Sequence, residues 1–226
     1  AMQRSLVGSE MCIRDRRNKM TIDIHDMMNS IIKSVSRIDY IKPEDIPGID
    51  LYMDQVTTFM ESQLASSKRY PDDKVLTKTM INNYAKNNLL PSPEKKRYSR
   101  EHLLLLIFIY YFKSILSISD IQTLLNPITE KYFKSDSDMD LTAIYNEVFS
   151  MEKNQIEYLT KDLLSRYKTA QSTFENAPEE DREFLKLFSF ICLLSFDVYM
   201  KKMLIEHLID EIRPSGDDAS DKKHRK

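Results

Sequence analysis

The sequence predicts an all-α fold, and three observations carry that prediction. Only three glycines, Gly8, Gly48 and Gly216, occur in 226 residues, and tight two-residue hairpins need glycine for its positive φ. Leu, Met, Lys and Glu, all good helix formers, are plentiful. Apolar residues recur every three to four positions through most of the chain, the period of one helix face.

The elements follow in order. Residues 1–16 read as linker or adapter sequence, which makes Met20 the expected start and leaves Cys12 without meaning. Over 21–40 the apolar positions Ile24, Met27 or Met28, Ile31 or Ile32, Val35 and Ile38 predict an amphipathic helix. Pro43, Pro47 and Gly48 make 41–50 a connector. A helix is expected over 51–64, with Val56, Phe59, Met60 and Leu64 facing inward, then a loop over 65–74. Thr77 offers an N-cap oxygen to a helix ending near Asn88, closed by Leu89, Leu90 and Pro91. A short basic turn, 91–97, leads to a helix capped by Ser99 and running over 100–116. Ser119 and Gln122 have the spacing of a capping box for the next helix, which Asn126-Pro127 is expected to stop. One long helix is predicted over 141–174. A second, over 179–212, starts at Pro178 with Glu179, Glu180 and Asp181 suited to the helix dipole. Residues 214–226 are polar and read as a disordered tail.

Composition bounds the function. A hydrophobic fraction of 42% with 30% charged residues is that of an ordinary soluble globular chain. Scarce glycine excludes a Gly-rich phosphate loop and a dinucleotide fingerprint. The two cysteines, Cys12 and Cys192, permit neither a disulfide framework nor a zinc pattern, and Cys192 is expected to be a buried small hydrophobe. The apolar runs 103–112 and 187–196 are too short to span a membrane, which needs about 20 residues. A cytoplasmic location is expected by elimination. His25, His102, His207 and His224 show no metal-ligand spacing. His25-Asp26 alone could suggest a metal phosphohydrolase, but its other ligands lack counterparts. No enzymatic role and no cofactor are expected.

The informative segment is 76–125, LTKTMINNYAKNNLLPSPEKKRYSREHLLLLIFIYYFKSILSISDIQTLL. It resembles the DNA-binding domain of the MerR family in four ordered pieces. The stretch 77–88 stands where that family has its groove-entering second helix, with Tyr84 at a usually aromatic position. Leu89-Leu90-Pro91 matches the exit of that helix, preceded by asparagine where the family has glycine. Arg97-Tyr98-Ser99 followed by Leu103 matches the end of the wing and the start of the third helix. Leu116-Ser117-Ile118-Ser119-Asp120-Ile121 through Leu124-Leu125 matches the closing helix. From Asp50-Leu51-Tyr52-Met53-Asp54-Gln55 to about Ile212 the chain is also similar to the YkrK-like bacterial proteins, a family that carries no activity to transfer. These resemblances imply a MerR-like winged helix-turn-helix front packed on a C-terminal helical bundle. The expected divisions are 1–19 as tail, 20–49 as helix and connector, 50–126 as the helix-turn-helix domain, 127–213 as the bundle and 214–226 as tail.

Charge placement points the same way. Residues 68–113 hold ten positive against four negative side chains, a balance of +6 in a chain whose total is −2, so the remainder carries −8. A basic segment of this kind steers toward phosphate. On the helix over 77–88, Met80, Ile81, Tyr84 and Ala85 are expected to face the core. Lys78, Thr79, Asn82, Asn83 and Lys86 then point outward. Asparagine can bond adenine bidentately in the major groove, and lysine or threonine can take phosphates or base edges. Lys95, Lys96, Arg97 and Arg100 are expected on the flanking backbone. The expected function is DNA binding for transcription control, as a homodimer on double-stranded DNA. The alternative is a non-catalytic helical protein that binds a partner or an apolar effector between its helices. The run within 184–203 is apolar nearly all round, which predicts a central helix covered on several sides. A homodimer core is the other way to cover it.

Overall fold

In the computed structural model, residues 30, 41–135, 137–151 and 155–213 are described. The helix expected over 21–40 and the tails lie outside these residues, Ser30 apart. The chain divides into units 1–38 and 39–226, and every element named here belongs to the second.

A 3-10 turn at Pro43–Asp45 leads to strand β1, Leu51–Tyr52, and helix α1, Met53–Gln63. Helix α2 is Lys78–Lys86 and strand β2 is Arg97–Tyr98. Helices α3, Arg100–Phe112, α4, Ile118–Tyr132, and α5, Leu141–Ser150, complete the core. Helices α6, Gln155–Gln171, and α7, Glu179–Ile212, follow. The fold is mostly helical, as composition predicted, with one two-stranded antiparallel sheet that pairs Leu51 with Tyr98 and Tyr52 with Arg97.

Helix α3 is the centre. Residues from His102 through Ile109 are all buried, seven in a row of them apolar. A helix apolar on every side is stable only when other elements cover it all round. Here α1 and α2 contribute Val56, Met60, Ile81 and Tyr84, α4 contributes Ile121 and Leu125, and α5 contributes Leu141 and Tyr145. Burying each large aliphatic side chain is worth roughly 1.5–3 kcal/mol, and that burial drives the assembly.

Several expectations are corrected. Leu51 and Tyr52 form strand rather than the first turn of a helix, because Tyr98 and Arg97 are there to take their hydrogen bonds. The cap of α4 is Ser117, whose hydroxyl accepts from the Asp120 N–H at 3.1 Å while Asp120 accepts from the Ser117 N–H at 3.2 Å. Ser119 and Gln122 lie inside the helix. Pro127 does not stop α4, which runs five residues further to Tyr132. A proline inside a helix costs about 3 kcal/mol, but Leu125 is buried and Leu124 and Ile128 pack on the core across that position. The helix therefore crosses the division expected at 126. The long helix expected over 141–174 is two, α5 and α6, and α5 turns its own face, with Leu141 and Tyr145, into the core.

Helix α7 has the expected bounds and a different role. Its 34 residues reach about 51 Å. The C-terminal half packs on the core through Ile205 and Ile209. Lys202 Nζ donates to the Ile115 carbonyl at 2.9 Å, and Arg213 meets the Asp120 carboxylate at 2.8 Å. The N-terminal half packs on α6 instead. Phe190 is buried against Tyr167, ring edge to ring face, and Arg166 bonds Asp197 at 3.1 Å. Much of the remaining surface of α7 is exposed, so the helix is not covered on several sides. The central position expected for it belongs to α3. Cys192 is half-buried on α7 rather than buried in a core.

Candidate nucleic-acid interface

The outward face of α2 is built by its two ends. At the start, the Thr77 hydroxyl accepts from the Met80 N–H at 3.2 Å, as expected of the cap. At the finish, Asn88 adopts φ 55°. The Leu89 N–H then reaches back to the Tyr84 carbonyl at 2.9 Å, and the Asn88 N–H to Ala85 at 3.2 Å. Those two bonds make a Schellman closure, whose left-handed residue asparagine tolerates better than most. The closure drops Leu89 and Leu90 into the core at 1% and 2% exposure. The Gln122 side-chain amide of α4 donates to the Asn87 carbonyl, fixing the same end from outside.

With Ile81 and Tyr84 buried, Lys78, Thr79, Asn82, Asn83 and Lys86 are all exposed and share the opposite face of α2. Burial raises the pKa of Tyr84. The anchored face is apolar and the free face is amide, hydroxyl and ammonium.

Beside it stands a tight turn. Residues 94–97 close with the Arg97 N–H donating to the Glu94 carbonyl at 2.8 Å, and Lys95 and Lys96 take φ 48° and 65°. Two successive positive φ values define the turn type that suits hairpins. Non-glycine residues there cost roughly 1–2 kcal/mol each. Lys95, Lys96 and Arg97 are exposed.

The two pieces meet at the start of α1. Lys78 pairs with the Asp54 carboxylate. Arg97 Nε donates to the Tyr52 hydroxyl at 3.3 Å, with its guanidinium 5.4 Å from the ring centre. Residues 19 apart in sequence are thus brought to one three-residue segment, 52–54. Sequence reasoning missed this segment because the aromatic and the acid sit in what read as an ordinary helix start.

Other members of the basic segment are held elsewhere. Arg100, expected among the DNA contacts, is half-buried, and its guanidinium donates to the Pro43 carbonyl at 2.8 Å. It braces the 3-10 turn, whose Pro43 carbonyl also accepts the Ile46 N–H at 3.2 Å. Lys113 Nζ is spent on the Val75 carbonyl at 2.7 Å, and burial lowers its pKa. Lys68 pairs with Glu61, whose pKa falls chiefly through that hydrogen bond. The +6 balance therefore overstates the positive charge free to meet a ligand.

Below the turn, His102 is 1% exposed between Tyr98 and Phe133. Its Nδ1 accepts the Ser99 N–H at 3.0 Å, capping α3. Burial, then the positive Lys134, lower its pKa. Lys134 pairs with Glu94 at the head of the turn, which lowers the pKa of Glu94 and raises that of Lys134. His207 is exposed on α7, 3.9 Å from Glu211. Among the described residues, no three His, Cys, Asp or Glu side chains are grouped to hold a metal ion. No described helix is long and apolar enough to cross a membrane.

The fold and this face define a mostly helical protein with one helix presented on its surface beside a basic turn. Residues 41–148, just under half of the chain, match the family model described as Domain of unknown function (DUF1836). No curated protein and no solved structure matches the chain. The matched region begins at the connector and ends within α5, so α6 and α7 lie beyond it.

Proposed function

We propose that the chain binds double-stranded DNA through α2, as a cytoplasmic regulator of transcription built on a MerR-like helix-turn-helix. One observation carries this reading: Lys78, Thr79, Asn82, Asn83 and Lys86 form a single exposed face on a helix anchored from behind and flanked by Lys95, Lys96 and Arg97. In this reading α2 lies in the major groove, where Asn82 and Asn83 read base edges, and adenine presents the donor and acceptor that an amide matches. Lys86 and the three basic residues of the turn take phosphates, which supply affinity without sequence information. Arg100 has no part in it.

The test is filter binding of the chain to a random duplex pool over a salt series. Four phosphate contacts predict a log–log slope of about −3.6. The pair Asn82→Ala and Lys86→Ala should lower affinity at least tenfold, by about 1.4 kcal/mol or more. Binding undetectable at low salt, or indifferent to that pair, refutes the reading. A second reading, a non-catalytic interaction protein, draws on the wide apolar exposure of α7.

A further inference from the structure

The free face of α2 has a restricted chemistry. The helix, KTMINNYAK over Lys78–Lys86, holds no arginine and no carboxylate. Thr79, Asn82, Asn83 and Lys86 recur at the spacing of one helix face, and all four are exposed. Asn87, the next amide, donates to the Asn83 carbonyl at 2.9 Å. The cations suited to guanine are held aside. Lys78 is paired with Asp54, Arg97 donates to the Tyr52 hydroxyl, and Arg100 is turned to the Pro43 carbonyl. Lys86 lies in the last turn of α2, whereas a recognition helix meets base edges with its N-terminal residues. Thr79, Asn82 and Asn83 are then the groups over the bases. They rise about 6 Å along the helix axis, close to two base-pair steps of about 3.4 Å.

We propose that α2 selects A·T over G·C pairs in the major groove, with adjacent A·T pairs giving Asn82 and Asn83 an adenine each and Thr79 a thymine. This selectivity presupposes that α2 meets DNA, and adds which base pairs its face accepts. The base edges decide it. Adenine offers an N7 acceptor and an N6 donor, which one carboxamide meets with two bonds. The threonine methyl packs on the thymine methyl. Guanine offers two acceptors, N7 and O6, and calls for the paired donors of arginine or for lysine. A carboxamide whose amino group takes guanine N7 sets its own oxygen against O6. Cytosine offers a donor that a carboxylate accepts, and α2 carries none. An amide facing the wrong pair is desolvated without a full set of partners, and that loss separates the two kinds of site.

The experiment is a fluorescence-anisotropy titration of the full chain against three duplexes of equal length at low salt. One is mixed A·T, one mixed G·C and one inosine·cytosine, which keeps guanine's major-groove edge but lacks its minor-groove amino group. The A·T duplex should bind at least about tenfold more tightly than the G·C duplex, and the inosine duplex should behave as G·C. Uracil in place of thymine should weaken A·T binding in the native chain and have no effect on Thr79→Ala. Asn82→Ala with Asn83→Ala should bring A·T affinity down to that of G·C, with unchanged far-UV circular dichroism, since both side chains stand in solvent. Equal affinity for A·T and G·C overturns the proposal and leaves DNA binding itself standing. An inosine duplex bound as tightly as A·T overturns the major-groove placement. A preference that survives the double alanine variant overturns the assignment to Asn82 and Asn83. Absence of binding to all three duplexes is the separate failure of the DNA reading, and takes the selectivity with it.

Discussion

The Tyr145 hydroxyl donates to the Ile41 carbonyl at 2.6 Å, buried, across 104 residues of chain. Ile41 is where the matched region begins, and Tyr145 lies three residues before its end. The bond closes that region on itself. Around it Tyr145, Phe108 and Phe149 form an aromatic cluster with ring centres 4.3–5.6 Å apart. Ile209 of α7 joins the same buried core, and Arg213, just past the end of that helix, pairs with Asp120 on α4 at 2.8 Å.

Removing that hydroxyl should cost stability without changing the fold. Tyr145→Phe keeps the ring packing and leaves the Ile41 carbonyl without this donor. The expected loss is about 1–3 kcal/mol, read as a lower urea midpoint with an unchanged m-value. An unshifted midpoint would show that the bond contributes nothing net.

Stability should decline in mild acid because of His102. Its folded pKa is depressed, chiefly by burial, so the unfolded chain takes up a proton that the folded chain resists. The His102 contribution is therefore complete above about pH 6.5. It is lost as pH falls from there toward the lower folded value. His102→Gln retains an acceptor at the third helical position, where glutamine serves a capping box. That variant should lose the decline between pH 6.5 and 5 in a urea-midpoint series. A wild-type curve flat over that window contradicts the depressed pKa.

Two left-handed residues invite stabilising changes. Asn88→Gly and Lys96→Gly both relieve a side chain at positive φ, and each is expected to raise stability by up to about 1 kcal/mol. Glycine's greater freedom when unfolded reduces the gain. Asn88→Ala should destabilise by a similar amount. Thermal melts of the three variants check the sign, and a stabilising Asn88→Ala contradicts the Schellman geometry at the end of α2.

If α2 meets DNA, Asp54 opposes it. Asp54→Asn releases Lys78 and removes a negative charge beside the proposed face. Affinity for duplex DNA should rise severalfold at low salt, and the gain should shrink as salt screens the phosphates. A fall in affinity would mean that Asp54 holds Lys78 in its useful position.

The sequence by itself determined the helical class, most helix limits and the split of α2 into an anchored and an exposed face. Each of these rests on local rules: the 3.6-residue period, Thr77 as a cap, proline and acids opening α7. Tertiary structure decided the rest, because the competing terms were non-local. Pro127 reads as a stop until Leu124, Leu125 and Ile128 find a core to pack on. Leu51 and Tyr52 become strand only where Arg97 and Tyr98 lie opposite. The basic turn was legible over 91–97, but Lys-Lys carries no signal for positive φ, so the left-handed pair at Lys95 and Lys96 was not. Formal charge counts Arg100 and Lys113 equally with Lys86, although folding spends the first two on backbone carbonyls. The same is true of the two helices that are apolar all round. Period and composition could not tell which one the other elements would enclose. The short one, α3, is enclosed by α1, α2, α4 and α5, while Phe184, Phe188, Ile191 and Val198 of α7 stand in solvent.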